Sequence, residues 1–439
     1  MKPTIVQMPP HQSAGAPASA SASASASVLQ SLGRRLLLRQ LRGLEHGELV
    51  LVEDGATHRF GRASARCNLS ARLIVSDPQF FADAAFGGTV GAGESYINGY
   101  WACDDLTALV RIMVVNRDLM AQLEGGLTGL VSAPFLKLFH WVNRNTRGGS
   151  ARNIAAHYDL GNALFELMLD DTMAYSCGIF ERPDATLREA SIAKFDSVCR
   201  KLDLRPGEHL LEIGTGWGGL AMHAALHYGC HVTTTTISRE QHDYAAQRIR
   251  RAGLADRITL LLEDYRELPR HLTGERAAGF DKLASIEMVE AVGHQFLDTY
   301  FETCSRLLAP HGAMLLQAIT LRDQLYARAL KNVDFIQRFI FPGSFIPSVA
   351  ALTDSVARST DLKLFHLEDI GPHYATTLAH WRRNFLANLE KVRALGYPER
   401  FVRMWDYYLC YCEGGFLERQ LGDVHMLLTK PDCRREPYR

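Results

Sequence analysis

From about Gly207 onward the chain alternates short apolar runs with helical segments, and this alternation constrains the fold more than any other feature. EHLLEIG, CHVTTTTIS, RITLLLED, DKLASIE and AMLLQAIT are each of strand length and apolar through most of it. Such runs suit strands buried on both faces, and helices between them supply the crossovers that parallel strands need. The expectation is an α/β architecture built on a Rossmann-like, mostly parallel sheet.

Upstream the pattern is different. Leu29, Leu32, Leu36 and Leu37 recur at helical spacing, GELVLVEDGATHRFG reads as a hairpin turning at Asp54-Gly55, ARLIVSD as a strand and DDLTALVRIMVVNRDLM as an amphipathic helix. Residues 28–140 are therefore expected to form a small N-terminal α+β domain. WVNRNTRGGSARN (141–153) is polar and glycine-bearing, which predicts a linker to a catalytic domain over 154–439. A chain of 439 residues is long for one core, so two domains are the natural division. Residues 321–348 interrupt the alternation and are expected to form a lid or insertion. The Ala/Ser tract SAGAPASASASASAS carries too little apolar side chain to offset chain entropy, so residues 1–27 are expected to be a disordered tail.

The 48 basic and 48 acidic residues balance, which predicts no nucleic-acid partner. Gly33-Arg34-Arg35 with Arg39 and Arg42 fits the solvated face of a helix. The nine cysteines are scattered without C-x-x-C spacing, so neither a metal site nor a disulfide framework is expected, and reduced thiols in a cytoplasmic protein fit best. No apolar stretch approaches the ~20 residues needed to span a bilayer. MKPTIVQMPPHQ lacks the apolar core of a signal peptide, so any membrane contact is expected to be peripheral.

LLEIGTGWGGL (210–220) ends the first of the apolar runs with Gly214, Gly216, Gly218 and Gly219. Glycines there let a ligand approach the backbone at a positively polarised helix N-terminus. The letters satisfy G-x-G-x-x-G, but a dinucleotide site would also want an acid closing the second strand. That strand ends TTTTIS, and Glu240 stands only in the helix after it. A phosphate-binding P-loop would need Gly-Lys-Ser/Thr, which is missing. The acid lies before the glycines instead, at Glu212 in E-x-G-x-G. This arrangement resembles the first motif of S-adenosylmethionine-dependent methyltransferases. The resemblance implies that Glu212, Gly214, Gly216 and Gly218 hold the methionine end of that cofactor. It places Thr236, Ile237 and Gln241 near its ribose or adenosine, and Asp264 and Tyr265 around its adenine. Taken singly, Tyr265 reads equally as core and Gln241 as a helix surface residue.

Further stretches narrow the resemblance. GESYINGYW (93–101), HYDLGNALFELML (157–169), MAYSCGIF (173–180), SIEMVEAVGH (285–294), FIFPGSFIPS (339–348), HYATTLAHW (373–381) and YCEGGF (411–416) together resemble the cyclopropane-fatty-acid-phospholipid synthase and mycolic acid cyclopropane synthase family. The likeness covers nearly the whole chain beyond the tail, and the N-terminal unit looks like the small extra domain of the bacterial phospholipid-acting branch. It implies addition of a methylene group across a cis double bond in unsaturated phospholipid acyl chains, at the inner face of a membrane, by a protein that is a homodimer. An alkene is a poor nucleophile, so close presentation and exclusion of water are required. In the family a bicarbonate ion accepts the proton that the carbocation loses. By motif, Cys177, Glu290, Tyr374 and the backbone N–H of Ile319 would hold that ion, with Tyr175 and Ser176 along the cofactor. Alone, Cys177 would read as a small buried residue and Glu290 as a helix-dipole partner.

The departure is Gln317, where the family carries histidine. Glutamine offers an N–H but neither carries charge nor shuttles protons near neutral pH. Either bicarbonate is held by a neutral donor and the product is a cyclopropane, which is the expected outcome, or the cation resolves to a methyl- or methylene-branched chain. A methyltransferase acting on small non-lipid molecules, or a lipid-binding protein without catalysis, would leave the motifs around Cys177, Glu290 and Tyr374 unexplained. FIQRFIFPGSFIPS (335–348) reads equally as a rim at which a lipid chain enters and as an ordinary packed helix and turn.

Overall fold

The computed structural model describes residues 20–117, 160–274 and 277–437; the expected linker at 141–153 lies outside them. In the N-terminal part, four strands lie in the order β2-β1-β3-β4. Strands β1 (Gly47–Glu53) and β2 (Ala56–Arg62) form the expected hairpin, β3 (Ser70–Val75) runs parallel to β1, and β4 (Trp101–Cys103) closes the edge antiparallel to β3. Asp54 (φ 43°) and Gly55 (φ 78°) both take left-handed backbone, the two-residue turn whose twist matches the strands it joins. Glu53 faces inward at the end of β1, and Arg34 donates to both of its carboxylate oxygens at 2.5 and 2.8 Å. A charge-assisted fork of this kind is what makes an inward-facing acid tolerable.

The first helix spans Ala20–Leu41, so it begins inside the Ala/Ser tract that composition alone assigns to a disordered tail. Alanine is the strongest helix former, and its propensity carries the helix backward from the leucines that anchor it. This helix crosses helix Gln79–Ile97 at Gly33. A Cβ on Gly33 would stand 2.6 Å from the Phe81 carbonyl oxygen and 2.9 Å from the Ala82 Cα.

The second sheet contains seven strands in the order β10-β11-β9-β8-β5-β6-β7. Strands β5 (His209–Ile213), β6 (His231–Thr236), β7 (Ile258–Leu262), β8 (Phe280–Ile286) and β9 (Leu308–Leu321) are parallel and coincide with the five apolar runs. β10 (Lys363–Asp369) and β11 (Leu421–Thr429) complete it, with β11 antiparallel to both neighbours. Leu210 and Leu211 on β5, Leu283 on β8 and Met314, Leu315 and Leu316 on β9 are fully buried, as strands covered on both faces require. The chain leaves β5 toward β6 and β7, then returns to build outward from β8. The crevice beyond the carboxyl ends of β5 and β8 is therefore the switch point at which open α/β sheets bind ligands.

Helix Glu399–Leu417 ties the two sheets together. Arg403 donates from Nε to the Tyr96 carbonyl (2.6 Å) and from Nη2 to that of Trp101 (2.7 Å). Residues 321–348 hold two short helices, Asp323–Ala329 and Phe335–Phe339, where the alternation breaks. Phe335 is fully buried, with its ring centroid 4.7 Å from that of Tyr407.

Backbone atoms cannot swing aside as side chains do, so Gly33→Ala must push the first two helices apart. Overpacking of this kind costs about 1–3 kcal/mol, more than the ~1 kcal/mol that alanine gains over glycine in a helix. Denaturant unfolding of Gly33→Ala should show that net loss; unchanged or raised stability would contradict the crossing described.

Candidate functional site

One cavity of about 1570 Å³ opens over the crevice at β5 and β8 and continues between the two sheets. At its polar end, Gly214 (φ 100°) and Gly216 (φ 53°) hold left-handed backbone, and a Cβ on Gly216 would meet nothing within 4 Å. The loop thus leaves a cradle in the wall that side chains would fill. Gly218 (φ 86°) does not line the cavity; it caps helix Gly219–His227, its Cα facing Ala245.

The other cofactor candidates gather around this cradle. Tyr175, Ser176, Glu212, Thr236, Ile237 and Gln241 line the cavity, as do Asp264 and Tyr265. Thr236 donates to the Gln241 side-chain oxygen (3.1 Å), and Asp264 accepts from Arg266 Nε (2.8 Å) and Nη2 (2.6 Å). The Tyr175 and Tyr408 hydroxyls are 2.9 Å apart. Glu212 is buried and accepts from Thr234 at 2.5 Å; burial pushes its carboxyl up to about 8. Lys194 is buried beside it, donating to Ser176 Oγ at 2.7 Å with its ammonium 4.5 Å from the Phe195 ring centroid. Burial pulls the Lys194 ammonium down, against the upward pull of Glu287, Asp423 and Glu212 nearby.

Deeper in, a second centre forms where β8 and β9 end, and its middle is a residue that the motif reading passed over. Glu287 Oε1 accepts from the Cys177 backbone N–H (2.8 Å) and from Gln317 Nε2 (2.7 Å), while Oε2 accepts from the Tyr374 hydroxyl (2.6 Å). Gln317 Nε2 also donates to Asp423 Oδ2 at 2.9 Å. Burial lifts both acids. The charge of Glu287 pushes Asp423 up further, so Asp423 is the member of the pair that retains a proton. The Cys177 thiol donates toward the carbonyls of Gly178 (3.2 Å) and Ile370 (3.8 Å).

The remaining two candidates pair with each other. Glu290 Oε1 accepts from the Ile319 N–H at 2.6 Å, and its buried Oε2 has no hydrogen-bond partner among the described residues. Burial, reinforced by Glu287, pushes Glu290 up to about 8. All five expected residues thus stand together: Cys177, Gln317 and Tyr374 converge on Glu287, and Glu290 and Ile319 adjoin it. Cys177 and Gln317 lie behind the cavity wall; Glu287, Glu290, Ile319 and Tyr374 line it. Glu287 carried a signal in the sequence, an acid three residues before Glu290 in SIEMVEAVGH.

Glu212 and Glu290 are both raised from an unfolded value near 4.5 to about 8. Their contribution to stability is complete below the unfolded value and is lost as pH rises through about 8. Unfolding free energy should therefore fall from about pH 4.5 to about pH 8 and level off above it, and Glu212→Gln should flatten that fall; an unchanged slope would show that burial does not raise this acid.

A family model described as mycolic acid cyclopropane synthetase matches residues 145–426. The chain is 36% identical over 347 residues to the tuberculostearic acid methyltransferase UfaA1 of Mycobacterium tuberculosis, covering 75% of this chain and 76% of that protein. It is 36% identical over 382 residues to a cyclopropane-fatty-acyl-phospholipid synthase of Escherichia coli, covering 85% of this chain and 94% of the synthase. A solved structure of the mycolic acid cyclopropane synthase CmaA1 complexed with SAH and CTAB is similar at a TM-score of 0.58 and 32% identity, over 64% of this chain and 98% of that one. With the seven-stranded sheet and the glycine cradle at its switch point, these likenesses establish that the chain belongs to the mycolic acid cyclopropane synthetase family of S-adenosylmethionine-dependent methyltransferases.

Proposed function

We propose that this enzyme transfers a one-carbon unit from S-adenosylmethionine to the cis double bond of an unsaturated phospholipid acyl chain, and that Glu287 receives the proton that leaves. The observation that carries the reading is the capture of Glu287 by Cys177, Gln317 and Tyr374. Those are three of the groups that the family resemblance assigns to bicarbonate. With their donors taken by a carboxylate, a second anion beside them would meet like charge in a buried site. The residues do not fit bicarbonate, and no step is routed through it.

They do fit S-adenosylmethionine. The cradle at Gly214 and Gly216 gives clearance for its amino-acid end, with Tyr175, Ser176 and Glu212 alongside. Thr236, Ile237 and Gln241, which line the same cavity, would flank its ribose, and Asp264 and Tyr265 its adenine. Gly218 acts one step back, through the turn that opens the helix. Bound there, the cofactor supplies an electrophilic methyl group to the double bond. The cavity wall excludes the water that would otherwise trap the resulting carbocation. Glu287 faces that charge as a carboxylate, stabilises it and accepts a proton from the added carbon, while Tyr374 and Gln317 hold its oxygens in place. Glu290 and the Ile319 N–H close the wall beside it.

Two products share this proton loss: a cyclopropane if the ring closes as the proton leaves, and a methylene branch if a hydride first shifts between the alkene carbons. The open-chain product is the one this geometry favours, because the histidine and the free anion associated with ring formation are replaced by Gln317 and Glu287. The name of UfaA1, a tuberculostearic acid methyltransferase, agrees with that choice. Ring formation is the second reading, favoured by similarity to the synthase of Escherichia coli over 85% of the chain. The lipid is taken from the membrane surface on its cytoplasmic side by peripheral contact, and a homodimer is the assembly this reading carries. Among the described residues no helix is long and apolar enough to cross a membrane.

Incubation with labelled S-adenosylmethionine and liposomes of oleoyl phospholipid should move label into lipid; no transfer would sink the proposal. Proton NMR of the product separates isomers of equal mass, with vinylidene protons expected and upfield ring protons marking a cyclopropane. Glu287→Gln should lower kcat by about 10²–10⁴-fold, the range for loss of a general base, with cofactor affinity unchanged in calorimetry. A matching loss of cofactor binding would make Glu287 a structural residue instead.

A further inference from the structure

Behind the site, one row of polar side chains crosses the sheet outside the lining of the cavity. Glu368 on β10, His425 on β11 and Gln317 on β9 are register partners across three neighbouring strands. Lys201, near the end of helix Leu187–Leu202, reaches this row with its Nζ between the Glu368 carboxylate and His425 Nδ1, the latter 2.7 Å away. His425 Nε2 lies 3.0 Å from Gln317 Oε1, and Gln317 Nε2 contacts Glu287 and Asp423. Lys201, His425 and Gln317 are completely buried, whereas half of the Glu368 side chain is exposed.

The donors in this chain allow one direction only. An ammonium group has N–H donors and no acceptor, so His425 Nδ1 must accept from Lys201. The imidazole is neutral, because burial and the charges of Lys201 and Lys194 on the neighbouring helix, with His366 on β10, hold its pKa well below the usual value. Its proton is therefore on Nε2, which donates to Gln317 Oε1. The Gln317 amide is then fixed with both N–H bonds toward Glu287 and Asp423. The flipped amide would aim a carbonyl oxygen at the Glu287 carboxylate and leave the His425 N–H facing an NH₂ group.

We infer that Lys201 and His425 are positioning residues for the reaction: they set the His425 tautomer, the tautomer sets the Gln317 amide, and the amide holds Glu287 in its catalytic orientation. The catalytic consequence rests on the proposed role of Glu287; the direction of the donor chain does not. The histidine missing from the Gln317 position is thereby present one strand away, acting through the glutamine.

Two experiments on the full chain test this. Nitrogen-15 NMR of histidine-labelled protein, with the His425 signals assigned by their loss in His425→Gln, should show Nε2 protonated and Nδ1 bare with no titration across the neutral range. Protonation at Nδ1, or a His425 that titrates there, overturns the inference. The titration reads a ring facing Lys201 and Lys194 from the helix, Glu368 and His366 from β10, Gln317 from β9 and Asp423 from its own strand. In the kinetic experiment, Lys201→Met should lower kcat by about tenfold while cofactor affinity and lipid KM stay unchanged, as for a displaced catalytic group. The same substitution in a Gln317→Leu background should cost nothing further, and Lys201→Arg should restore most of the rate. Multiplying losses in the double variant, or no rescue by arginine, would overturn the inference. Should Lys201→Met fail to fold, the tautomer measurement still decides. Wild-type protein that transfers nothing to lipid would sink the proposed function, and the NMR result would stand independently of it.

Discussion

A carboxylate set in an apolar cavity must find donors or give up its charge, and that requirement organises the ends of β8, β9 and β11. Bringing such a group out of water costs several kcal/mol, and hydrogen bonds to a charged group return about 1.5–3 kcal/mol each. Glu287 needs several, and it takes them from Cys177 before the sheet, Gln317 inside it and Tyr374 in the helix that follows β10. These positions are far apart in sequence, so the hydrogen-bonded Glu287 centre exists only once the sheet has assembled. Asp423 takes the complementary course and keeps its proton. One ionised and one neutral acid side by side is the stable arrangement for two carboxyl groups in one site.

The sheet topology explains why cofactor cradle and carboxylate centre share a cavity. β5 and β8 are hydrogen-bonded neighbours, so the glycine turn after one and the Glu287–Glu290 turn after the other open at the same edge. β9 lies beyond β8 and β11 beyond β9, which delivers Gln317, Asp423 and His425 to the same region in register. The N-terminal sheet contributes the far apolar wall, and helix Glu399–Leu417 fixes it there through Arg403.

What was legible in the chain followed local physics. The five parallel strands could be read because strands buried on both faces must be apolar throughout, and the first hairpin because Asp54-Gly55 tolerates left-handed backbone. The Ala/Ser tract misled because its low apolar content and its helical propensity point in opposite directions, and the adjoining leucines decide between them. The five residues of the expected anion site could be named by motif, but motif could not reveal that Glu287 stands among their donors, since that depends on a side-chain direction created by tertiary packing. Nothing in LREASIAKFDSVCRKL singles out Lys194 or Lys201, yet both are buried. Asp423 and His425 left a fainter trace, two polar residues at alternate positions of an otherwise apolar strand and hence on one face.

The backbone at Glu287 is left-handed, with φ at 48°. An L-residue held there is strained by about 1–2 kcal/mol, whereas glycine adopts the same conformation freely. The residue proposed to carry the chemistry is thus one that the fold alone would not choose. Selection for a robust protein and selection for the proposed base pull on position 287 in opposite directions, and the surrounding hydrogen bonds are what let the second prevail.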